Sequence, residues 1–384
     1  MRIAYICQFY KPVIGGVEEV IYELATRMAK QHEVHVFTSD FDKSGRIPVK
    51  EEIIEGVHVH RLHHLFHLTR FSPFWPSLLW NFKTKFGKFD IIHVHVFGHP
   101  FTFIGSLLAK LTKIPLVITT HCPWTTKFRT SLTNFFLFFS YNLNRFSFKW
   151  ANKIIAITPW EIPFIEKYGG EKEKITVIPN GVNGRFFEKI KNNQFKKKYG
   201  IKGKIVLFFG RFNATKGPDK LALAGKEILK ERTDIYFVFV GPDEGIKEEV
   251  RKIAKGQKNM LVLDPIKSEE VAELYQAADV YVLPSYREGL PLTLFEAMAS
   301  GLPVVASPVQ GVPYEMREPE NGFFAQYGDI DGLKENILKI IDDKKLAEKI
   351  SRNNREKAKN YDWQIIFDKT LKIYRRLTEK RNSI

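Results

Sequence analysis

Two glutamates, Glu288 and Glu296, stand with seven residues between them in the run E-G-L-P-L-T-L-F-E. Carboxylates spaced this way can accept hydrogen bonds from the hydroxyls of one sugar-bearing ligand, provided something between them holds that ligand. The intervening residues predict a holder. Pro291 fits the first position of a helix over residues 292–300 that stops at Gly301. The first backbone N–H groups of that helix, from Leu292 and Thr293 onward, have no partner inside it, and with the positive end of the dipole they suit a diphosphate. Glu288 then lies just before the helix and Glu296 about two turns along it.

Other residues add to this chemistry. The run G-R-F-N-A-T-K-G, residues 210–217, offers two cations. Arg211 can grip phosphate oxygens in a fork, and Lys216 adds a compact charge. His121 directly follows an apolar run over residues 115–120, so it sits at the carboxyl end of a predicted strand, where ligands bind in open α/β sheets. Gly15 and Gly16 fall between a strand predicted over residues 2–7 and a helix predicted over 17–30, where glycine lets the backbone approach a ligand. That segment lacks G-x-G-x-x-G and so is not the dinucleotide fingerprint. His93, His95 and His99 read as core or rim residues, and no His/Asp/Glu cluster has convincing metal spacing.

Two rounds of the same grammar position these groups. Short apolar runs at residues 33–38, 57–62, 90–96, 115–120, 153–157 and 175–178 predict strands in the first half, with helices over 100–111, 131–150 and 159–168. The second half repeats the pattern, with strands over 204–209, 235–240, 261–263, 280–283 and 303–306 and helices over 218–232 and 268–277. Three further helices are predicted near residues 329–342, 344–360 and 363–381. Residues 184–204 are polar, basic and irregular, and read as a linker.

The whole run E-G-L-P-L-T-L-F-E-A-M-A-S-G-L-P-V-V-A resembles the E-x7-E signature of the retaining glycosyltransferases of family GT4. P-N-G-V-N at residues 179–183 is similar to that family's P-N-G-V-D segment, with Asn183 replacing the acid, and residues 210–217 resemble its G-R…K-G loop. The motifs run in the family's order over essentially the whole chain. The resemblance implies a GT-B fold: two Rossmann-like α/β domains with parallel sheets facing across a cleft. The expected domains are an acceptor-side domain over residues 1–183 and a nucleotide-sugar domain over 184–361. A last helix, about 362–384, is expected to cross back to the first domain, anchored by Trp363.

The resemblance also implies site roles. His121 and Glu288 are the candidate catalytic residues, with His121 near the transferred sugar. Gly15, Gly16, Arg211, Lys216, Leu290, Leu292, Thr293 and Glu296 face the donor with Glu288. Pro265 and Ile266 cradle the nucleobase through backbone groups. The implied activity is transfer of a hexose from a nucleotide sugar to an acceptor hydroxyl, with the anomeric configuration retained. No cofactor and no metal ion are expected.

Charge and composition bear on the acceptor. Net charge is +16, and residues 56–160 hold twelve Lys or Arg against a single acid, Asp90. Such a field suits an anionic membrane or an acidic acceptor. Nucleic acid is not expected, because no recognisable binding module accompanies the charge. Residues 63–89 mix Phe66, Phe71, Phe74, Trp75, Trp80 and Phe82 with Arg70, Lys83, Lys85 and Lys88. In the helix over 131–150, Leu132, Phe135, Phe136, Phe139, Leu143 and Phe146 make a core stripe at helical spacing, and Phe138, Tyr141, Arg145 and Phe148 make a second stripe suited to a membrane surface. No apolar run reaches the roughly 20 residues of a membrane span, and Cys7 and Cys122 form no disulfide framework. A cytoplasmic enzyme, peripheral on the inner face of the membrane and working on a lipid-linked acceptor, is the expectation. A nucleotide-sugar epimerase of the same fold and a non-enzymatic binder of anionic surfaces or nucleic acid are the alternatives.

Overall fold

The computed structural model describes residues 1–42, 45–67, 73–80, 89–124 and 131–382. The chain divides into two compact units, Met1–Asn180 with Trp363–Ile384, and Gly181–Asp362. Each is a parallel-sheet α/β unit, as expected.

The sheet of the first unit contains β1 (Arg2–Ile6), β2 (Glu33–Ser39), β3 (Glu51–Ile54), β4 (Val57–Leu62), β7 (Ile91–His95), β8 (Leu116–Thr119), β9 (Lys153–Ala156) and β10 (Ile175–Val177). Between them β5 (Phe66–His67) and β6 (Pro73–Phe74) pair as a separate antiparallel ribbon. The sheet order is β10-β9-β8-β7-β1-β2-β4-β3, parallel throughout except for β3 on β4. The edge strand β3 is half exposed and carries Glu51 and Glu52, too polar for its short run to read as a strand. The inner strands are buried on both faces, which explains their continuous apolar character. His93 and His95 interrupt it on β7, both fully buried.

Helices Gly16–Ala29, Pro100–Thr112 and Ser131–Trp150 flank this sheet, and helix Trp363–Asn382 belongs to the same unit. Trp363 is buried there, with the Arg27 guanidinium 6.0 Å from its ring centre. The faces of the aromatic helix Ser131–Trp150 depart from the expectation in part. Tyr141 and Phe148 are core residues, Phe148 stacking on Phe97 at 4.1 Å. Phe139, Leu143 and Phe146, read as core, are exposed, Phe139 by 67%. Phe138 is exposed as expected. The side chains of Leu132, Phe135 and Phe136 lie outside the described residues. The aromatic segment 63–89 is also divided: Trp75 is buried against Phe101, whereas Phe66 and Trp80 are exposed. Arg70, Phe71, Phe82, Lys83, Lys85 and Lys88 lie outside the described residues.

The second unit has six parallel strands: β11 (Lys204–Phe209), β12 (Ile235–Val240), β13 (Met260–Leu263), β14 (Val280–Leu283), β15 (Val304–Ala306) and β16 (Gly322–Phe324). Their order is β13-β12-β11-β14-β15-β16, so the winding reverses between β11 and β14. Loops at the carboxyl ends of the strands flanking such a reversal are where open α/β sheets bind ligands. The motif helix runs Leu292–Ala299, with Pro291 one place earlier than expected, as an extended cap residue. Glu296 is therefore the fifth helical residue, little more than one turn in. Helix Lys247–Ala254 was not expected, since Val250 is its lone buried aliphatic.

Residues 184–204 are not a free linker. Phe186 and Phe195 are buried, and Asn193 Nδ2 donates to the Glu273 carbonyl at 2.7 Å, so the segment packs on helix Ser268–Ala277.

Candidate active site

In the second unit the reversal between β11 and β14 brings two predicted site residues into contact. Lys216 Nζ donates to both carboxylate oxygens of Glu288 at 2.7 Å, and Ser285 Oγ donates to one of them, also at 2.7 Å. Glu288 is 4% exposed. Gly217 makes this approach possible. Its φ is +66°, and a Cβ there would lie 2.1 Å from the Pro284 carbonyl oxygen, so the loop after β11 lies directly on the end of β14. Asn213 caps the turn through Thr215 N at 2.9 Å, and Tyr286 N donates to the Thr215 carbonyl at 2.9 Å.

Arg211 points to a different partner. Its Nη1 pairs with both oxygens of Glu244, at 3.0 and 2.8 Å, and its side chain is 45% exposed. Sequence reasoning missed Glu244, which belongs to the loop after β12. The start of the motif helix carries no side-chain cap, which leaves the N–H groups of Leu292 and Thr293 to an outside acceptor. Leu290, just before it, is buried. Glu296 accepts from the Tyr275 hydroxyl at 2.9 Å, and burial with the nearby Glu296 charge pushes the Tyr275 phenol far above its ordinary range. Tyr275 therefore stays a donor and orients the carboxylate.

Pro265 is exposed and Ile266 half buried, in the extended segment after β13. The preceding Asp264 is tied to Lys247 Nζ at 2.7 Å, and that buried ammonium also donates to the Gly241 carbonyl at 3.1 Å. Lys247 thus pins the base of the loop, another role the sequence did not reveal.

In the first unit, Gly15 caps helix Gly16–Ala29 in an extended conformation. A Cβ on Gly15 would lie 2.1 Å from a carboxylate oxygen of Glu18, while a Cβ on Gly16 would meet nothing within 4 Å. The group a Gly15 Cβ would meet is the far end of a flexible side chain, so neither glycine is demanded by its surroundings. His121 follows β8 with φ +59°, and Cys122 follows it with φ +52°. Two consecutive left-handed residues with side chains are costly, and Glu161 holds them in place. Its fully buried carboxylate accepts from Cys122 N at 2.6 Å, Ile157 N at 2.7 Å and Trp124 Nε1 at 3.2 Å. Burial pushes the Glu161 carboxyl above its ordinary range against the pull of those donors. The ring of His121 meets that of His95, Nε2 to Nδ1 at 3.0 Å. Desolvation holds the His121 imidazole low, at about 3, so it is neutral at ordinary pH.

Chemically the second unit offers cations, free helix N–H groups and two oriented carboxylates, a set suited to a phosphorylated sugar. The first offers a neutral imidazole on a constrained turn.

Residues 189–357 match the model of the glycosyl transferases group 1, and residues 14–185 match that of glycosyltransferase family 4. The chain is 30% identical over 284 residues to a UDP-Gal:alpha-D-GlcNAc-diphosphoundecaprenol alpha-1,3-galactosyltransferase of Escherichia coli, covering 71% of each chain. It is 26% identical over 387 residues to a phosphatidyl-myo-inositol mannosyltransferase of Mycobacterium leprae, covering 97% of this chain and 96% of that one. The solved structure of HepE from Anabaena in complex with UDP superposes with a TM-score of 0.78 at 19% identity, over the full length of both chains.

Proposed function

The chain belongs to the group 1 glycosyltransferases of family 4, and on that premise we propose that it transfers a hexose from a nucleotide sugar to a hydroxyl of a lipid-linked acceptor, with retention at the anomeric carbon. The observation that carries this reading is the contact of Lys216 with Glu288 at the sheet reversal, beside an uncapped helix start. The donor diphosphate is assigned to Lys216, Arg211 and the N–H groups of Leu292 and Thr293. These groups stabilise the charge that grows on the leaving nucleoside diphosphate. Glu288 is assigned to the sugar hydroxyls and Glu296 to the ribose. Pro265 and Ile266 are assigned to the base, and Gly15, Gly16 and His121 to the donor from the first unit. In this proposal Lys216, Arg211 and the helix N–H groups do at the leaving group what a metal ion would otherwise do. The leaving phosphate takes the acceptor's proton, in a displacement on one face of the sugar. The names of the Escherichia coli and Mycobacterium leprae relatives, with their diphosphoundecaprenol and phosphatidylinositol groups, support a lipid-linked acceptor.

The acceptor is met at the cytoplasmic membrane surface. Among the described residues no helix is long and apolar enough to cross a membrane. The exposed stripe of Phe139, Leu143 and Phe146, with Phe138, Arg145 and Lys149 beside it, supports a peripheral attachment to anionic lipid.

A nucleotide-sugar panel offered with a diphosphoundecaprenol-linked sugar, followed by release of nucleoside diphosphate, tests the reading. Acceptor-dependent release from one donor is expected. Binding of no nucleoside diphosphate in calorimetry overturns it.

A further inference from the structure

His93, His95 and His121 form a continuous row in the first unit. His93 and His95 are fully buried, with ring centres 4.1 Å apart. The bonding of His93 is closed: its Nδ1 lies 2.5 Å from the Tyr374 hydroxyl and its Nε2 lies 2.8 Å from Thr119 Oγ1. That of His95 is not. Its Nδ1 lies 3.0 Å from His121 Nε2, while its Nε2 is buried without a hydrogen-bond partner.

A neutral imidazole carries one N–H. All three rings are kept neutral by burial, which lowers each well below its ordinary range. If the His95 proton sat on Nε2 it would be an orphan donor in the core. On Nδ1 it meets His121 Nε2, and only a bare lone pair is left over. Buried N–H donors left without acceptors are rarer in folded proteins than under-used acceptors. We infer that His95 is a positioning residue: it donates from Nδ1 to Nε2 of His121 and so fixes His121 in the Nδ1–H tautomer, a hydrogen-bond donor aimed at ligand oxygen.

This inference rests on the reading of His121 as a group at the transferred sugar and gives it a definite chemistry. With Nε2 occupied as an acceptor and Nδ1 already protonated, neutral His121 has no nitrogen left to remove a proton. It gives a hydrogen bond to an oxygen of the sugar and cannot act as a base. The turn that presents it is fixed separately, by Glu161 on Cys122 N.

The test is the tautomer itself, measured on the full-length chain without ligand. Histidine labelled with 15N in the ring gives long-range proton–nitrogen correlations that distinguish the two neutral forms, and His121→Ala assigns the signal among the 11 histidines. His121 should appear with a protonated Nδ1 and a bare Nε2. His95→Asn, whose amide nitrogen stands where Nδ1 stood, should preserve that pattern, and His95→Phe should move the proton to Nε2. With the donor found in the panel, His95→Phe should lower kcat by about 100- to 1000-fold with little change in KM, as for loss of one oriented donor, and His95→Asn should restore most of it. A wild-type His121 protonated on Nε2 overturns the inference, and does so even if a variant fails to fold. Full turnover by His121→Ala instead overturns the placement of His121 at the sugar, and leaves the tautomer assignment standing.

Discussion

Lys216 and Glu288, separated by 72 residues of chain, are joined by two hydrogen bonds of 2.7 Å from one ammonium to both oxygens of one carboxylate. Each is assigned to a different part of the donor, so the pair stores in the unliganded protein a charge arrangement that the ligand must share. Lys216→Ala should weaken binding of a nucleoside diphosphate much more than binding of the bare nucleoside. It should also lower stability by about 2 kcal/mol, because a buried carboxylate is left with fewer partners. Lys216→Ala combined with Glu288→Gln should regain most of the stability and none of the diphosphate affinity. Urea unfolding, and calorimetry with the nucleoside diphosphate of the donor found in the panel and its bare nucleoside, read the two effects separately. Equal losses on both ligands would show that Lys216 does not face phosphate.

Arg211 is engaged by Glu244 before any ligand arrives. Glu244→Gln should therefore tighten nucleoside diphosphate binding about two- to fivefold at low salt, the scale of an exposed ion pair of about 1 kcal/mol or less. The gain should shrink as salt rises. A weaker nucleoside diphosphate affinity in this variant would place Glu244 on the ligand's side.

Glu296 is aimed by the Tyr275 hydroxyl. Glu296→Ala and Glu288→Ala should each lose most turnover while remaining folded. Tyr275→Phe should cost about 1 kcal/mol of transition-state stabilisation, the net contribution of one hydrogen bond, visible in kcat/KM. Wild-type rates in both glutamate variants would remove the assignment.

The histidine row makes stability depend on pH in a defined direction. The folded values of His93 and His121 lie at about 3, below the ordinary 6.5, so the unfolded chain binds more protons in between. Stability then rises with pH from about 3 to 6.5, at up to about 1.4 kcal/mol per pH unit for each histidine, and is level in this term above that window. Glu161, raised by burial, acts in the opposite sense and tilts stability downward as pH climbs past the usual carboxylate range. Urea midpoints between pH 4 and 7 should climb, with a shallower slope in His95→Phe. A flat profile would mean that the three rings are solvated.

Membrane attachment is decided by vesicles. Wild type should co-sediment with anionic liposomes and release as salt rises. Phe139→Ser/Leu143→Ser/Phe146→Ser should abolish attachment while a nucleoside diphosphate still binds. No binding of wild type at low salt would leave a soluble acidic acceptor.

Much of this arrangement was legible in the chain. Lys216 and Glu288 follow strands that are adjacent at the sheet reversal, so motif order and sheet grammar together anticipate their region, though not their contact. Arg211's partner was not legible, because Glu244 is 33 residues away in a loop with no periodicity. The aromatic helix failed for a different reason. Both stripes have helical spacing, and hydrophobicity, with Arg145 in the second, favours the stripe that is in fact exposed. What decides is that Asn144 and Ser147, buried with Tyr141 and Phe148, bond each other and nearby carbonyls. Segment 184–204 looked like a linker because its two anchoring phenylalanines are diluted among lysines. His95 looked structural because a strand interior is the ordinary place for a core residue, and only the unsatisfied Nε2 singles it out.

The helix Trp363–Asn382 places the Tyr374 hydroxyl between Tyr5 of the first strand and His93, at 3.1 and 2.5 Å. The first unit is thus discontinuous, and the second is an uninterrupted insertion within it. During translation the inserted unit has its whole sequence available while the first still lacks one wall. Nascent chains should therefore hold a finished second unit beside an open first one, with the histidine row wet until Tyr374 emerges from the ribosome. A circular permutant that begins at Trp363 would reverse that schedule and deliver the first unit complete before the second is made.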